Sequence, residues 1–341
     1  MEEKLFRNKI SWFNFICCIL VIWNHAGNAE LFLPGISSAH PLMRLEYEVI
    51  PAVIRINIPC FLMISAYLFY RDFTWVKLPG KWKRRVKTLL VPYITWNLLY
   101  YAGYLAAGHI PHLAEMVNRP GLTLTASNLF QAAFRFAFNP VFWFMYQLLL
   151  LVALAPVLYL FLKNKWIGLA FLGMLFFALS HGAALPELNL DALIYYSAAA
   201  WLALHAKKTA ESCWSGKRAF LGVILLVVGI VVSREYYRRY CVPAIVFYQV
   251  LAPVSLWLMA DERKLAAPKP WMMCTFFIYA FHFIPVRLIN KAAAMALPGN
   301  AMAAGLLFFL MPVLAVAICY QAVRVLRRFT PKLWRLLNGG R

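Results

Sequence analysis

Two histidines stand in stretches whose neighbours are almost all apolar. His25 closes "ISWFNFICCILVIWNH", Ile10 to His25, and His282 sits in "FFIYAFHFIPVRLINK", Phe276 to Lys291. An imidazole ionises near neutral pH, so it can take a proton from a hydroxyl and hand it on. In the first stretch Ser11, Asn14, Cys18 and His25 fall at spacings that share one helix face. Asn14 and His25 differ by only about 20° in azimuth and by roughly 16 Å along a helix axis. Polar groups on an apolar helix face other helices or a watery cavity rather than lipid. Two readings fit this stripe: hydrogen bonds to neighbouring helices, or a working site.

Other residues invite the same question. Arg55 opens "RINIPCFLMISAYLFY", Arg55 to Tyr70. A guanidinium there needs a carboxylate, carbonyls, water or a ligand, unless it snorkels to the interface. Pro59 can kink that helix and free a carbonyl. In "NPVFWFMYQLLL" Trp143 and Gln147 are one turn apart. They could line a sugar-sized cavity, although composition favours an interfacial anchor for Trp143. Tyr279 lies one turn before His282, with Arg287 beyond it. The stretch "RDFTWVKLPGKWKRRVKTLLVPYITWN", Arg71 to Asn97, carries seven cations, Arg84, Arg85 and Lys87 among them. Such charge fits the inner face of a membrane protein or a site for the phosphates of a nucleotide-like ligand. In "SREYYRRY", Glu235 and Arg239 can pair at i,i+4.

The elements that must carry these residues are membrane helices. The chain of 341 residues is 63% hydrophobic and 14% charged, against about 25% charged in soluble domains. Ten apolar segments are long enough, or nearly so, to span a bilayer, at about 10–26, 49–70, 87–107, 142–162, 166–183, 191–206, 218–233, 243–260, 271–291 and 301–324. The expected fold is an all-α polytopic membrane protein, a single membrane-embedded domain over residues 1–341 with no soluble domain appended. The segment from Asn128 to Asn139 is too short to span and reads as an amphipathic surface helix. With the N-terminus inside, 25 of the 34 cations, from Lys4, Arg7 and Lys9 to Arg341, fall in inner segments. That places both termini in the cytoplasm and His25 at the outer end of the first span. It also accounts for the net charge of +21 without nucleic acid as a partner. Seven cysteines are scattered, with no CxxC and no metal-ligand spacing. Lys4, Arg7 and Lys9 before an apolar run, with no A-x-A site after it, read as a retained signal anchor.

Five pieces in order resemble the acyltransferase type 3 family, polytopic enzymes that O-acylate surface sugars. "ISWFNFICCILVIWNH" is similar to that family's opening helix ending in histidine. "NIPCFLMISAYLF" resembles its V-P-x-F-F-x-x-S-G-[FY]-L helix, and "RRVKTLLVPYITW" its basic stretch leading into P-Y-x-x-W. "VFWFMYQLLLL" is similar to its W-[FY]-L segment and "FFIYAFH" to its I-Y-x-x-H segment. Ser11 and Asn14 stand where the family often carries Asp or Arg, and Ser65-Ala66 stands for its S-G.

The resemblance implies a cytoplasmic acyl-coenzyme A donor, most simply acetyl-CoA, and a hydroxyl acceptor on an extracytoplasmic glycan, handled by a multi-pass protein of the inner (plasma) membrane. In that scheme His25 is the general base or a covalent acyl carrier. Arg84, Arg85 and Lys87 hold the donor's phosphates. Arg55, Trp143, Gln147 and His282 face the acceptor, with Asn14 and Ser65 in support and no metal or permanently bound cofactor. A transporter or flippase for a lipid-linked or polysaccharide substrate is the alternative that ten spans also suit. Against it stand the absence of internal repeats and of paired, interrupted short helices.

Overall fold

The computed structural model describes residues 1–111 and 122–340, and every regular element among them is helical. Arg341, one of the cations assigned to the inner side, lies outside the described residues. The first span is α1 (Glu3–Asn24), followed after a break by α2 (Ala29–Phe32). α3 (Pro41–Tyr70) is a 30-residue helical run with irregular turns inside it. Next come α4 (Leu78–Arg85) and α5 (Val91–Gly108), joined by a π-turn at Val86–Leu90. They are followed by α6 (Ala126–Arg135), α7 (Trp143–Ala153), α8 (Ala155–Leu162), α9 (Lys165–Ser180) and α10 (Leu190–His205). The remainder holds α11 (Gly216–Arg239), α12 (Val242–Met259), α13 (Thr275–Phe281), α14 (Phe283–Ala296), α15 (Ala301–Phe329) and α16 (Pro331–Leu337).

Each of the ten expected segments falls on helix. Among the described residues five helices are long and apolar enough to cross a bilayer alone, or up to eight if each bent pair counts as one span, fewer than the ten expected. The bends are 46° between α6 and the run Pro140–Ala153, 115° between α8 and α9, and 64° between Met272–Phe281 and α14. Interrupted helices are therefore present, contrary to the sequence expectation. Their causes are local. Pro140 opens the turn before α7, and Asn164 caps α9 by accepting from the amides of Trp166 and Ile167 at 2.9 and 3.2 Å. α6 is the amphipathic helix expected between Asn128 and Asn139. It stops at Phe136, whose φ of 48° is left-handed.

The chain folds as two compact units, one of Met1–Phe73 with Ala155–Tyr320 and one of Thr74–Leu154 with Gln321–Arg341. In the first, α1 runs parallel to the segment that becomes α13. The rungs ascend together: Trp12 Nε1 donates to Ala266 O at 2.8 Å, the Phe15 and Trp271 rings meet at 4.9 Å, and Cys18 Sγ reaches Thr275 O at 3.6 Å. α11 and α12 pack so closely that a Cβ on Gly222 would lie 2.8 Å from Ser255 O, which only glycine tolerates. Lys9 is not a loop cation. It is 2% exposed, its Nζ donates to Ala260 O at 2.7 Å, and it lies 3.6 Å from Glu262 Oε2, itself 1% exposed. The first turns of α1 pack on the 260–266 segment, which takes Lys9 out of solvent.

In the second unit, α16 is seated on α5. Trp96 Nε1 donates to Leu337 O at 2.9 Å. Beyond α16, Gly339 has a φ of 65°, and a Cβ there would meet Thr88 Cα at 2.8 Å. Removing one partner of a buried ion pair strands the other charge. Lys9→Met is therefore expected to destabilise the protein by roughly 3–5 kcal/mol, and Lys9→Met with Glu262→Gln to recover most of that. Thermal unfolding in detergent reads both.

Candidate active site

α1 ends where His-Ala-Gly-Asn follows its apolar run. His25 takes φ −101°, ψ 0°, and Asn28 takes φ −145°. A break at this depth strands carbonyls and amides that lipid cannot satisfy, and here side chains satisfy them. Asn290 Nδ2, on α14, donates to Ala26 O at 3.1 Å and to Gly27 O at 3.5 Å. Asn28 Nδ2 donates to Asn290 Oδ1 at 3.3 Å. Glu46 Oε2 accepts from the amides of Asn28 and Ala29 at 2.9 and 3.0 Å. Glu46 sits in a π-turn, Leu45–Val49, within α3. Such turns insert a residue into a helix and often mark working sites. Asn28, Glu46 and Asn290 are all buried. Together they hold the backbone that presents His25.

His282 occupies a second break. Pro285 has no N–H for the carbonyl of Phe281, and the helix turns by 64° between α13 and α14. His282 is 0% exposed. Its Nδ1 lies 2.7 Å from Tyr279 O and 3.2 Å from Ile278 O. Carbonyls only accept, so Nδ1 carries the proton and Nε2 keeps a lone pair. That Nε2 is buried and has no hydrogen-bond partner among the described residues. The His25 and His282 ring centroids are 5.4 Å apart, with the planes inclined by 39°. Phe283 stands edge-on to His25 at 5.4 Å, and the Arg287 guanidinium lies 5.3 Å from the Phe283 centroid.

The structure thus brings together two of the residues singled out in the sequence, His25 and His282. Cys18 shares the His25 face and touches the same partner segment, so this upper part of the stripe faces the bundle. Ser11 Oγ instead donates back to Arg7 O of its own helix at 3.0 Å. Asn14 is half-buried and makes no hydrogen bond among the described residues. Arg55 lies at an interruption inside α3. Pro59 has no amide to offer the Arg55 carbonyl, and Gln249 Nε2 donates to it at 3.1 Å. The Arg55 side chain is half-buried and joins no ion pair among the described residues. Ser65 is half-buried on α3.

The remaining candidates belong to the second unit. Arg84 and Arg85 end α4, and Lys87 sits in the π-turn that follows. Arg84 and Lys87 are exposed and Arg85 is half-buried. Trp82 Nε1 donates to Val152 O at 2.9 Å, which fixes α4 against the chain end of α7. A Cβ on Gly340 would lie 3.2 Å from Lys87 Cε, so the stretch after α16 flanks this basic turn. Trp143, at the start of α7, is 37% exposed, whereas Gln147 one turn on is 6% exposed. The two do not share one environment.

Asn28, Glu46 and Asn290 were not singled out in the sequence. Their signal was weak: Asn28 follows His25 by three residues, and Glu46 is one of only 13 acids in the chain. An apolar cavity of about 290 Å³ in the first unit is lined by Phe6, Phe13, Met63, Tyr67, Leu225 and Trp257 and does not include His25.

Apolar helices of spanning length, two of them broken where the His25 and His282 rings meet, define a multi-span membrane protein. The chain matches the family described as Acyltransferase domain (Acyl_transf_3) over residues 7–324 and belongs to that family. It is also similar to the succinoglycan biosynthesis protein ExoH of Rhizobium meliloti (strain 1021). The two are 23% identical over 322 residues, which cover 85% of this chain and 80% of the relative. No solved structure matches it significantly. If Glu46 holds the backbone behind His25, Glu46→Ala frees the Asn28 and Ala29 amides. Their hydrogen exchange is expected to speed up by about tenfold or more, while amides in α11 stay unchanged.

Proposed function

We propose that the protein transfers an acyl group, most simply acetyl, from cytoplasmic acyl-coenzyme A to a hydroxyl of an extracytoplasmic glycan, across the plasma membrane that holds it. Membership of the acyltransferase family supports the reaction class, and similarity to a protein of succinoglycan biosynthesis supports a glycan acceptor. The single observation that carries the assignment to residues is the break at His25, which sets an imidazole against His282 at the end of an apolar helix.

In this reading His25 accepts the hydroxyl proton as the acceptor oxygen bonds to the thioester carbonyl. The carbon–sulfur bond then breaks, and the leaving thiolate takes the proton from His25. Arg84, Arg85 and Lys87 hold the donor's phosphates by charge-assisted hydrogen bonds. In the same reading Arg55 contributes to binding the acceptor. The interrupted helices remove one argument against transport, and the family membership decides for acyl transfer.

Mass spectrometry of the host's surface glycan tests the reaction. His25→Ala is expected to abolish the ester groups while the protein stays in the membrane at normal level; ester content equal to wild type would reject the role of His25. Arg84→Gln with Arg85→Gln is expected to raise the KM for acetyl-CoA about tenfold or more, as two charge-assisted contacts are lost. An unchanged KM would remove these residues from the donor site.

A further inference from the structure

We propose that His282 is the positioning partner of His25, accepting a hydrogen bond at Nε2 from the His25 N–H that points away from the substrate. This rests on the acyl-transfer reading above. Four observations converge on it. The His282 tautomer is fixed, because Tyr279 O and Ile278 O at 2.7 and 3.2 Å require the proton on Nδ1. The opposite nitrogen is a fully buried acceptor with no donor among the described residues, an arrangement that is unfavourable until a donor arrives. The His25 ring packs on it with centroids 5.4 Å apart. Each imidazole nitrogen lies about 1.1 Å from its ring centroid, so nitrogens turned toward one another across this spacing come to about 3.2 Å, the long end of hydrogen-bond distance. Finally, no carboxylate is hydrogen-bonded to either ring among the described residues.

The consequence for the reaction is specific. With one His25 nitrogen donating to His282, the other must present its lone pair to the acceptor hydroxyl. When the hydroxyl O–H bond breaks, that proton goes to the free nitrogen, and the positive charge formed is shared through the N–H that His282 already accepts. The same proton later leaves with the thiolate. His282 neither gains nor loses a proton, so it serves as a neutral counterpart of the carboxylate that orients a histidine base in other enzymes. Pro285 sustains the arrangement, because the bend it causes leaves His282 at the apex facing α1.

The test uses the full-length protein in liposomes, with acetyl-CoA as donor and the host's surface glycan, stripped of esters by alkali, as acceptor. His282→Phe keeps the volume and removes the acceptor. It is expected to lower kcat by about 10- to 100-fold, the scale of one lost hydrogen bond to a charged group, with the KM for acetyl-CoA unchanged. His282→Gln, whose amide oxygen still accepts, is expected to restore most of kcat. Should the Phe variant fail to fold, His282→Met replaces it in the same comparison. Wild-type kcat in the Phe or Met variant overturns the proposal, as does a Gln variant no better than either. His25→Ala run alongside separates the two levels. If it still transfers acetyl, the acyl-transfer role of His25 falls. If it is inactive while His282→Phe is fully active, only the partnership falls.

Discussion

Hydrocarbon supplies no hydrogen bonds, so a helix interrupted within a membrane must find partners for the backbone groups it exposes. Every candidate element of this protein is organised by that requirement. The break after α1 is closed by Asn290 from one side and Glu46 from the other. The break inside α3 is closed by Gln249, which supplies the donor that Pro59 lacks. At the bend between α13 and α14 the closing group is His282 itself, through Nδ1. In the first two cases the closing side chain comes from a distant part of the sequence. At these three breaks backbone satisfaction accounts for Asn290, Glu46, Gln249 and the Nδ1 of His282, and it leaves over the His25 imidazole and the Nε2 of His282.

This division sharpens what catalysis asks of the fold. A side chain on an unbroken helix is fixed by the helix, but it points sideways into neighbours. A side chain at a break sits where the backbone turns, with space opened by the missing turn and with geometry set by the residues that bond the loose ends. His25 and His282 are both of this kind, and they come from chain segments more than 250 residues apart. The basic residues of the second unit use a milder version, in which Lys87 sits in a π-turn between α4 and α5 and Gly339 allows the C-terminal stretch to approach Thr88.

Much of this was legible in the sequence, and the reasons are physical. Helix positions followed from apolar runs, and the facing of the first helix followed from the spacing of Cys18 and His25. The effect of Pro59 could be read directly, because a missing amide always leaves a carbonyl free four residues earlier. The expected pairing of Glu235 with Arg239 is present at 3.6 Å. The count of spans was not so legible, since a bent pair reads in sequence like two helices or one. Glu46, Asn28 and Asn290 were missed because their partners lie beyond any helical repeat: Glu46 bonds the amides of Asn28 and Ala29, and Asn290 bonds Asn28 and the Ala26 carbonyl from the far end of the chain. Lys9 was misplaced for the same reason. Its partner Glu262 lies in the turn after α12, and the burial of both follows from packing alone.

The parallel run of α1 beside the segment leading through α13 has one further consequence. Its rungs, from Trp12 to His25 on one side and from Ala266 to His282 on the other, rise together. The His25–His282 contact is the uppermost of these rungs. A slip of either segment along the other, which would part the two imidazoles, would have to break the lower rungs as well.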